Sequence, residues 1–273
     1  CLNRCLSGLL CREASMKLFF LYFLMELKSA MEYKLSFLLV ALGQFIVSFS
    51  AFLGAAFLLQ RFTSIKGYSM EMIMLCTASV LLQYTLAECL GRGFDNFPSL
   101  VKSGKFDRIL LRPQNTMLQV MGSRFEFTRI GRLIQAVILM AVGLNGANVA
   151  WSIGKIMTLI FMMIGGICLF IGIFIITAAF CFFTIEGLEI FNVFTNGAVE
   201  FGKYPIAVFG KRILQFCTYI IPYALIQYYP LLYLMGESNQ IFLIGEPLLA
   251  CLFLIPAVLI WQFGVKHYKS CGS

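Results

Sequence analysis

Long stretches without a charged residue dominate this chain of 273 residues. There are 26 uncharged residues between Lys34 and Arg61, and 30 between Lys155 and Glu186. A helix of about 20 apolar residues crosses the roughly 30 Å hydrocarbon core of a bilayer. These stretches therefore predict membrane-spanning helices. We expect six of them, at residues 36–60, 70–90, 133–151, 156–184, 212–234 and 247–265.

The overall composition agrees with a membrane location. Charged residues make up 12% of the chain and hydrophobic residues 60%, whereas a soluble domain has about 25% charged and about 45–50% apolar residues. Too few polar side chains remain to cover a water-facing globule of this length. The composition excludes a soluble enzyme, a disordered chain and a secreted disulfide scaffold. It predicts an all-α membrane protein with several spans.

Basic residues are distributed unevenly around the six predicted spans. The net charge is +8, and 18 of the 21 Lys and Arg residues fall on the same side as the two termini. Because Lys and Arg accumulate in the cytoplasmic loops of membrane proteins, we expect a multi-pass protein with both termini in the cytoplasm. The same rule explains the positive charge without a nucleic-acid partner, and we expect none.

The N-terminal region has two parts of different character. Position 1 is not Met, and a coherent pattern begins only at Met16. We expect residues 1–15 to be a non-native or disordered extension and residues 16–268 to form the transmembrane domain. Residues 16–34 combine an apolar run with spaced Glu and Lys side chains. This predicts an amphipathic helix in the membrane interface, the alternative being an irregular start of the first span.

A long connection, residues 91–132, joins the second and third predicted spans. It contains eight Lys and Arg residues. Pro98, Gly104 and Pro113 divide it into short helical stretches, and Asn115 is placed to cap a further helix that leads into the third span. We expect a structured, basic loop on the cytoplasmic side.

Prolines interrupt the fifth predicted span. Pro222 lies inside this span and Pro230 follows eight residues later. A proline within a helix removes a hydrogen bond and breaks or kinks the helix. Such backbone is tolerated at membrane depth only where protein or a water-filled cavity satisfies it. The segment 221–236 is therefore either a re-entrant piece on the outer face or part of an ordinary kinked helix.

The predicted spans contain few ionisable residues. Glu71 and Glu88 stand at opposite ends of the second span, about 25 Å apart at 1.5 Å per residue, so we expect them at the two interfaces. An ionisable residue deep in the membrane indicates a functional site by default. The scarcity of ionisable residues within the predicted spans argues against an ion-coupled carrier. Three glutamines also fall within spans, where packing between helices is a more common role than lining a pathway: Gln44, Gln83 and Gln135.

The sequence indicates neither catalysis nor a bound group. Residues 197–203 fit the pattern G-x-x-x-x-G-K, but Tyr204 stands where a phosphate-binding loop needs Ser or Thr, and a flexible hinge is the better interpretation. The ten Cys residues include no C-x-x-C pair, and His267 is the sole histidine. We therefore expect no metal site, no cofactor and no enzymatic activity in this chain.

Several motifs follow one another in a specific order. Residues 104–113 read G-K-F-D-R-I-L-L-R-P, and residues 204–205 read Y-P. Residues 221–224 read I-P-Y-A, and residues 228–236 read Y-Y-P-L-L-Y-L-M-G. In order and spacing these motifs resemble a bacterial family of ABC-2-type transporter permeases with six helices. The resemblance covers about residues 16–268.

The resemblance implies a type V exporter-like permease subunit that dimerises with an identical or related permease. A separate ABC ATPase subunit would use the ATP, through a coupling helix in the loop 91–132. The N-terminal amphipathic helix would be the elbow helix, and the location would be the bacterial cytoplasmic membrane. The implied ATPase-coupling residues are Lys102, Lys105, Phe106, Asp107, Arg108, Leu110, Arg112 and Pro113. The implied residues of an outer re-entrant region or pathway are Pro222, Tyr223, Tyr228, Tyr229, Pro230 and Gly236.

Each implication has an alternative. Basic side chains beside a bilayer also bind lipid phosphate, at about 1 kcal/mol each, and they form internal salt bridges. Tyrosines near the membrane surface also form aromatic belts. For the whole protein, the alternatives to an exporter permease are a self-contained secondary transporter or channel, and a membrane-embedded enzyme or assembly scaffold. The sequence does not indicate a substrate.

Overall fold

The computed structural model describes residues 20–60, 68–147, 149–184, 192–238 and 240–268, with the backbone alone for part of the segment 51–60. The predicted extension 1–15 lies outside these residues. The described residues are helical and include no β-sheet, which confirms the predicted all-α class.

The described residues form α-helices of very different length. In chain order the described α-helices are α1 Phe20–Glu32, α2 Lys34–Gln60, α3 Met70–Asp95, α4 Phe97–Lys102, α5 Lys105–Leu110, α6 Thr116–Met121, α7 Ile130–Gly146, α8 Ile153–Phe180, α9 Asn192–Gly202, α10 Lys211–Tyr219, α11 Tyr223–Ile226, α12 Tyr228–Met235, α13 Phe242–Leu249 and α14 Leu254–His267. Short 3₁₀ helices lie at Phe127–Arg129, Ile206–Phe209 and Ala250–Phe253.

Four helical segments among the described residues are long and apolar enough to cross a membrane. They are Met70–Lys102, Phe127–Gly146, Ile153–Phe180 and Phe242–His267. These segments overlap the second, third, fourth and sixth predicted spans. A fifth candidate is the pair Phe20–Glu32 and Lys34–Ser50, which is bent by 96°. This bend makes α1 a helix separate from α2.

Helix α3 lies at the centre of the bundle. It begins after Ser69, whose hydroxyl accepts a hydrogen bond from the amide of Met72 (3.4 Å), as N-cap residues do. Of its most apolar stretch 72% is buried, against 22–50% for the other candidate spans. Helices α7 and α8 both pack on it, so its position organises the other spans.

The two ends of α3 serve to place the other helices. Gly143 of α7 lies against Leu75, near the start of α3, and Phe174 of α8 lies against Gly91, near its end. We call the end of the bundle where α3 begins the hairpin end, and the end where α3 finishes the platform end. Helix α7 runs antiparallel to α3, and α8 runs parallel to it, as expected for successive spans.

Helix α9 runs along α3 toward the hairpin end. The Tyr84 hydroxyl donates to the side chain of Asn196 (2.7 Å), and the Thr77 hydroxyl donates to the carbonyl oxygen of Lys203 (3.1 Å). Thr77 lies two turns from the start of α3. Lys203 is therefore in the hairpin-end half of the bundle. This differs from the predicted topology, in which 186–212 is a cytoplasmic loop on the same side as 91–132.

The predicted fifth span, 212–234, is divided among α10, α11 and α12. The hydroxyls of Thr218 and Tyr229 are 3.4 Å apart although 11 residues separate them in sequence, and 11 residues of continuous helix span about 16 Å. The chain therefore reverses between α10 and α12. Tyr228 then meets Tyr68 at the hairpin end, hydroxyl to hydroxyl at 3.0 Å. The chain folds back here and does not continue as one kinked helix, and we use the name re-entrant segment for residues 221–236.

Glycines allow close helix contacts at several places, and at two contacts between spans a backbone carbonyl oxygen fills the space of the missing Cβ atom. A Cβ atom on Gly131 of α7 would overlap the carbonyl oxygen of Ala41 in α2. One on Gly165 of α8 would overlap the carbonyl oxygen of Pro247 in α13. Helices in a membrane associate through such packing, because lipid tails are as apolar as the side chains they replace.

Replacement of Gly165 by Ala tests this packing. The added methyl group forces α8 and α13 apart, and we expect it to cost about 1–3 kcal/mol of stability and to lower the Tm of the purified protein. Gly245→Ala in α13 is the matched control, because a Cβ atom there meets open space and Ala favours a helix over Gly by about 1 kcal/mol. Equal Tm values for the two variants would contradict the close approach.

Candidate functional site

Helices α4, α5 and α6 form a platform at the end of α3. Pro98 stands in the first turn of α4, and Gly104 precedes α5 with a φ of 64°, a conformation that glycine adopts readily. Asn115 caps α6 by accepting a hydrogen bond from the amide of Met117 (2.9 Å). These contacts confirm that Pro98, Gly104 and Asn115 delimit short helices in this loop.

The ring of Phe106 fastens the platform to the bundle. Phe106 is fully buried, and its ring centroid lies 4.9, 5.6 and 5.1 Å from those of Phe97, Phe182 and Tyr268. Trp261 of α14 completes the cluster, 5.0 Å from Phe97. Each such aromatic pair contributes about 0.5–1.5 kcal/mol beyond the burial of its area. The cluster joins α4 and α5 to the ends of α8 and α14.

The residues that the resemblance implies for ATPase coupling fall into two groups. Phe106 and Asp107 face the bundle, and Asp107 accepts a hydrogen bond from the hydroxyl of Tyr268 (3.0 Å). Arg112 also contacts α1, through a hydrogen bond to the hydroxyl of Tyr22 (3.1 Å). We use the name platform surface for the six implied residues with exposed side chains, which are Lys102, Lys105, Arg108, Leu110, Arg112 and Pro113.

A buried carboxylate lies close to the platform, in the last two turns of α3. Glu88 is 3% exposed, and its oxygens lie 3.0 Å from Arg132, 3.4 Å from Arg92 and 3.5 Å from Arg129. Ions leave water at a high free-energy cost unless opposite charges and hydrogen bonds replace it. The three guanidinium groups meet this requirement for Glu88.

Three further side chains complete this charged network. Asp95 and Glu126 pair with Arg92 at 2.5 and 2.8 Å. Gln44 of α2 accepts hydrogen bonds from the other two arginines at 3.1 and 3.2 Å. Three carboxylates thus balance three guanidiniums, and the network links α2, α3 and α7 at the platform end.

Sequence reasoning missed this network. The sequence alone places Glu88 at a membrane interface and favours a packing role for Gln44. One signal was present, because Glu88, Arg92 and Asp95 are spaced by four and three residues and so share a helix face. The partners at 126, 129 and 132 come from another part of the chain and depend on the tertiary fold.

Replacement of Glu88 by Gln removes the central counter-charge of the network. Removal of one partner from a buried ion pair costs about 3–5 kcal/mol, so we expect a clear fall in Tm and in the yield of folded protein. Lys203→Gln is the control, because its partner Glu200 is 69% exposed and an exposed pair contributes about 0–1 kcal/mol. If both variants unfold at the wild-type temperature, the network does not stabilise the bundle.

The aromatic cluster can be tested in the same way. Phe106→Ala leaves a cavity among four rings, and such truncations cost about 3–5 kcal/mol, so we expect a lower Tm. Leu111→Ala at the end of the same short helix is the control, because Leu111 is 84% exposed. An unchanged Tm for Phe106→Ala would show that the platform is not held by this ring.

Buried amides fasten the re-entrant segment to the spans. Gln83 of α3 donates to the carbonyl oxygen of Ile226 (3.0 Å). Gln227, between α11 and α12, donates to the carbonyl oxygens of Gly202 (2.5 Å) and Tyr204 (3.2 Å). Protein groups therefore satisfy backbone carbonyls where the helices break, as a membrane requires. The packing role predicted for Gln83 is confirmed.

The residues implied for an outer re-entrant region or pathway lie together in this segment and make internal contacts. The Tyr223 hydroxyl donates to the carbonyl oxygen of Phe194, and Pro222 and Pro230 are buried. Tyrosines 228 and 229 bond to other hydroxyls, as described above. Gly236 ends α12 with a φ of 80°, which is a helix C-cap geometry. Each contact is one that holds the segment in place.

The fold and the platform define a multi-pass helical membrane protein with a folded helical platform at one end. Within the described ranges, no cluster of His, Cys, Asp or Glu side chains is placed to hold a metal ion. Residues 45–272 match the family model described as ABC-2 family transporter protein, and the chain belongs to this family. Comparisons with curated proteins and with solved structures give no match.

Family membership confirms the resemblance seen in the sequence motifs. The matched residues, 45–272, include the whole platform and the whole re-entrant segment. Membership supports a permease subunit of an ATP-binding cassette transporter, and it implies an ABC ATPase partner in general.

Proposed function

We propose that this chain is the permease subunit of an ATP-driven exporter. Together with a second permease subunit, identical or related, it forms the translocation path. A separate ATPase docks on the platform surface and supplies the energy, and the chain itself hydrolyses no ATP. We assign the protein to the bacterial cytoplasmic membrane, with the platform end and both termini in the cytoplasm.

The proposed topology has six crossings. They are α2, α3, α7, α8, the α13–α14 pair and a fifth crossing to which α9 contributes, because the 11 residues of α9 rise only about 16 Å. Helix α1 is an elbow helix in the interface. The 96° bend between α1 and α2 supports the elbow. With the fifth crossing before Lys203 and not at 212–234, Lys203, Lys211 and Arg212 move to the hairpin end. The platform side still has 15 of the 21 basic residues, which agrees with a cytoplasmic location.

The contrast between the two faces of α5 is the observation that carries the proposal. Lys105 and Arg108 point outward, whereas Phe106 is buried in the aromatic cluster. Asp107 fixes the same helix to the segment after α14. A displacement of the outer face would therefore be transmitted to the ends of α8 and α14 through the aromatic cluster and this hydrogen bond. We propose that the exposed basic side chains also bind lipid headgroups.

A charge reversal on the outer face of α5 tests the docking. We expect Lys105→Glu with Arg108→Glu to lower ATP hydrolysis by the assembled complex about tenfold, the equivalent of 1.4 kcal/mol in docking. The matched control is Lys155→Glu at the hairpin end. The double variant Asp107→Arg with Arg108→Asp should also lower ATP hydrolysis. It is a less specific test, because it also removes the hydrogen bond from the Tyr268 hydroxyl to Asp107. Unchanged hydrolysis in the first variant, with the protein still in the membrane, would contradict the proposal.

One observation favours a second candidate, an ion-coupled secondary transporter. Glu246 lies within the span Phe242–His267 and is 9% exposed. Its Oε2 has no hydrogen-bond partner among the described residues. A buried carboxylate in a membrane is a candidate proton or cation site. This candidate predicts transport by the chain without an ATPase and loss of that transport in Glu246→Gln. Transport that requires the ATPase would exclude it.

A further inference from the structure

An apolar cavity of about 200 Å³ lies between α3, α9, α10 and α11. It is distinct from the platform surface and from the charged network, which lie at the other end of α3. Its wall combines aliphatic and aromatic side chains with one thiol and includes Val80, Ala198, Phe201, Ile213, Phe216 and Cys217.

Water is a poor occupant for this cavity. An ordered buried water needs two to four polar partners. Among the lining side chains, Tyr223 already donates its hydroxyl to the carbonyl oxygen of Phe194, and Gln227 uses its amide nitrogen on two backbone carbonyls. Of the side chains that line the cavity, only Gln227 has a buried oxygen or nitrogen, its Oε1, without a hydrogen-bond partner among the described residues. An apolar cavity of about 150 Å³ stays dry and takes up small hydrocarbons.

The cavity opens between α9 and α10. Phe201, Ile213 and Phe216 line it and are 41–54% exposed, so its mouth faces the surroundings of the bundle. Lys211 and Arg212 are both exposed and form the first turn of α10, directly before the lining residue Ile213. The cavity wall is apolar, and we call the two basic residues that precede Ile213 in sequence its positive rim.

We propose that this cavity binds the alkyl chain of an anionic amphiphile from the membrane, with the headgroup at Lys211 and Arg212. A hydrocarbon chain restores the dispersion contacts that an empty void lacks. The positive rim selects an anionic headgroup over a neutral one. A bilayer phospholipid and a free fatty acid share this chemistry. The proposal needs a membrane-embedded chain and is independent of the ATPase and of the direction of transport.

Photo-crosslinking in nanodiscs tests the proposal on the full chain. Three probes carry a diazirine on an alkyl chain: a phosphatidylglycerol, a free fatty acid and a phosphatidylcholine. We expect peptides of α9 and α10 to be labelled more by one or both anionic probes than by phosphatidylcholine. The stronger anionic probe identifies the source of the chain. Equal labelling of these peptides by all three probes would overturn the headgroup assignment.

Two variants separate cavity binding from general lipid contact. Ala198→Leu fills the cavity, and we expect it to lower labelling of α10 about tenfold, the equivalent of 1.4 kcal/mol in binding. The exposed residue Leu259 of α14 should be labelled as before. The control is Ala141→Leu on the exposed surface of α7. Labelling of α10 that does not change in Ala198→Leu would show that the probe contacts only the outer surface.

The second variant tests the proposal even if Ala198→Leu does not fold. Lys211→Gln with Arg212→Gln changes only exposed side chains, so it should fold even if Ala198→Leu does not. We expect labelling by the anionic probes to fall to the phosphatidylcholine level. If anionic labelling persists in this variant, the positive rim does not bind the headgroup and the proposal is wrong.

Discussion

The ion pairs of Glu88 with three arginines determine how the platform end is built. Glu88 is 3% exposed and belongs to α3, the most buried span. Arg129 and Arg132 belong to the segment that begins α7 and also reach Gln44 of α2. The buried carboxylate of Glu88 is stable at this depth only because the guanidinium groups lie beside it. The network therefore fixes α2, α3 and α7 relative to one another, and the platform is mounted on that fixed end.

A second set of contacts, among aromatic rings, attaches the platform to the remaining spans. Phe97, Phe106 and Trp261 bring α4, α5 and α14 together, and Phe182 adds the end of α8. Helix α8 continues to the hairpin end, where Gly154 lies against Tyr233 of α12. One continuous helix thus connects the platform with the re-entrant segment. In the proposed exporter, this is the route by which motion at the platform surface reaches the far side of the bundle.

The sequence predicts the features of this fold that depend on local chemistry. Uncharged stretches indicate α2, α3, α7, α8 and α13–α14, because the length of an apolar run is a local property. Pro98, Gly104 and Asn115 indicate the short platform helices for the same reason. The position of Lys203 could not be predicted by counting charges. Its ammonium pairs with Glu200 three residues earlier, at 2.6 Å, so the charge does not require a loop in the cytoplasm.

The sequence predicts which segment forms the candidate site, but it does not predict the direction in which each side chain of that segment points. The motif of residues 104–113 indicates the correct segment for a platform, but neighbouring residues of a short helix point in different directions. Phe106 and Asp107 point toward the bundle, and Lys105 and Arg108 point away from it. The tertiary fold alone determines which face of α5 is buried. The partners of Glu88 depend in the same way on contacts across 44 residues, from Glu88 to Arg132.

Site-specific photo-crosslinking tests whether an ATPase docks on the platform surface. A benzoylphenylalanine at position 111 replaces a leucine that is 84% exposed beside the platform surface. The same probe at position 153 replaces an isoleucine that is 82% exposed at the hairpin end. If the ATPase docks on the platform surface, we expect a crosslink to an ATP-binding protein from position 111 and none from position 153. A crosslink from position 153 alone, or from neither position in an assembled complex, would contradict it.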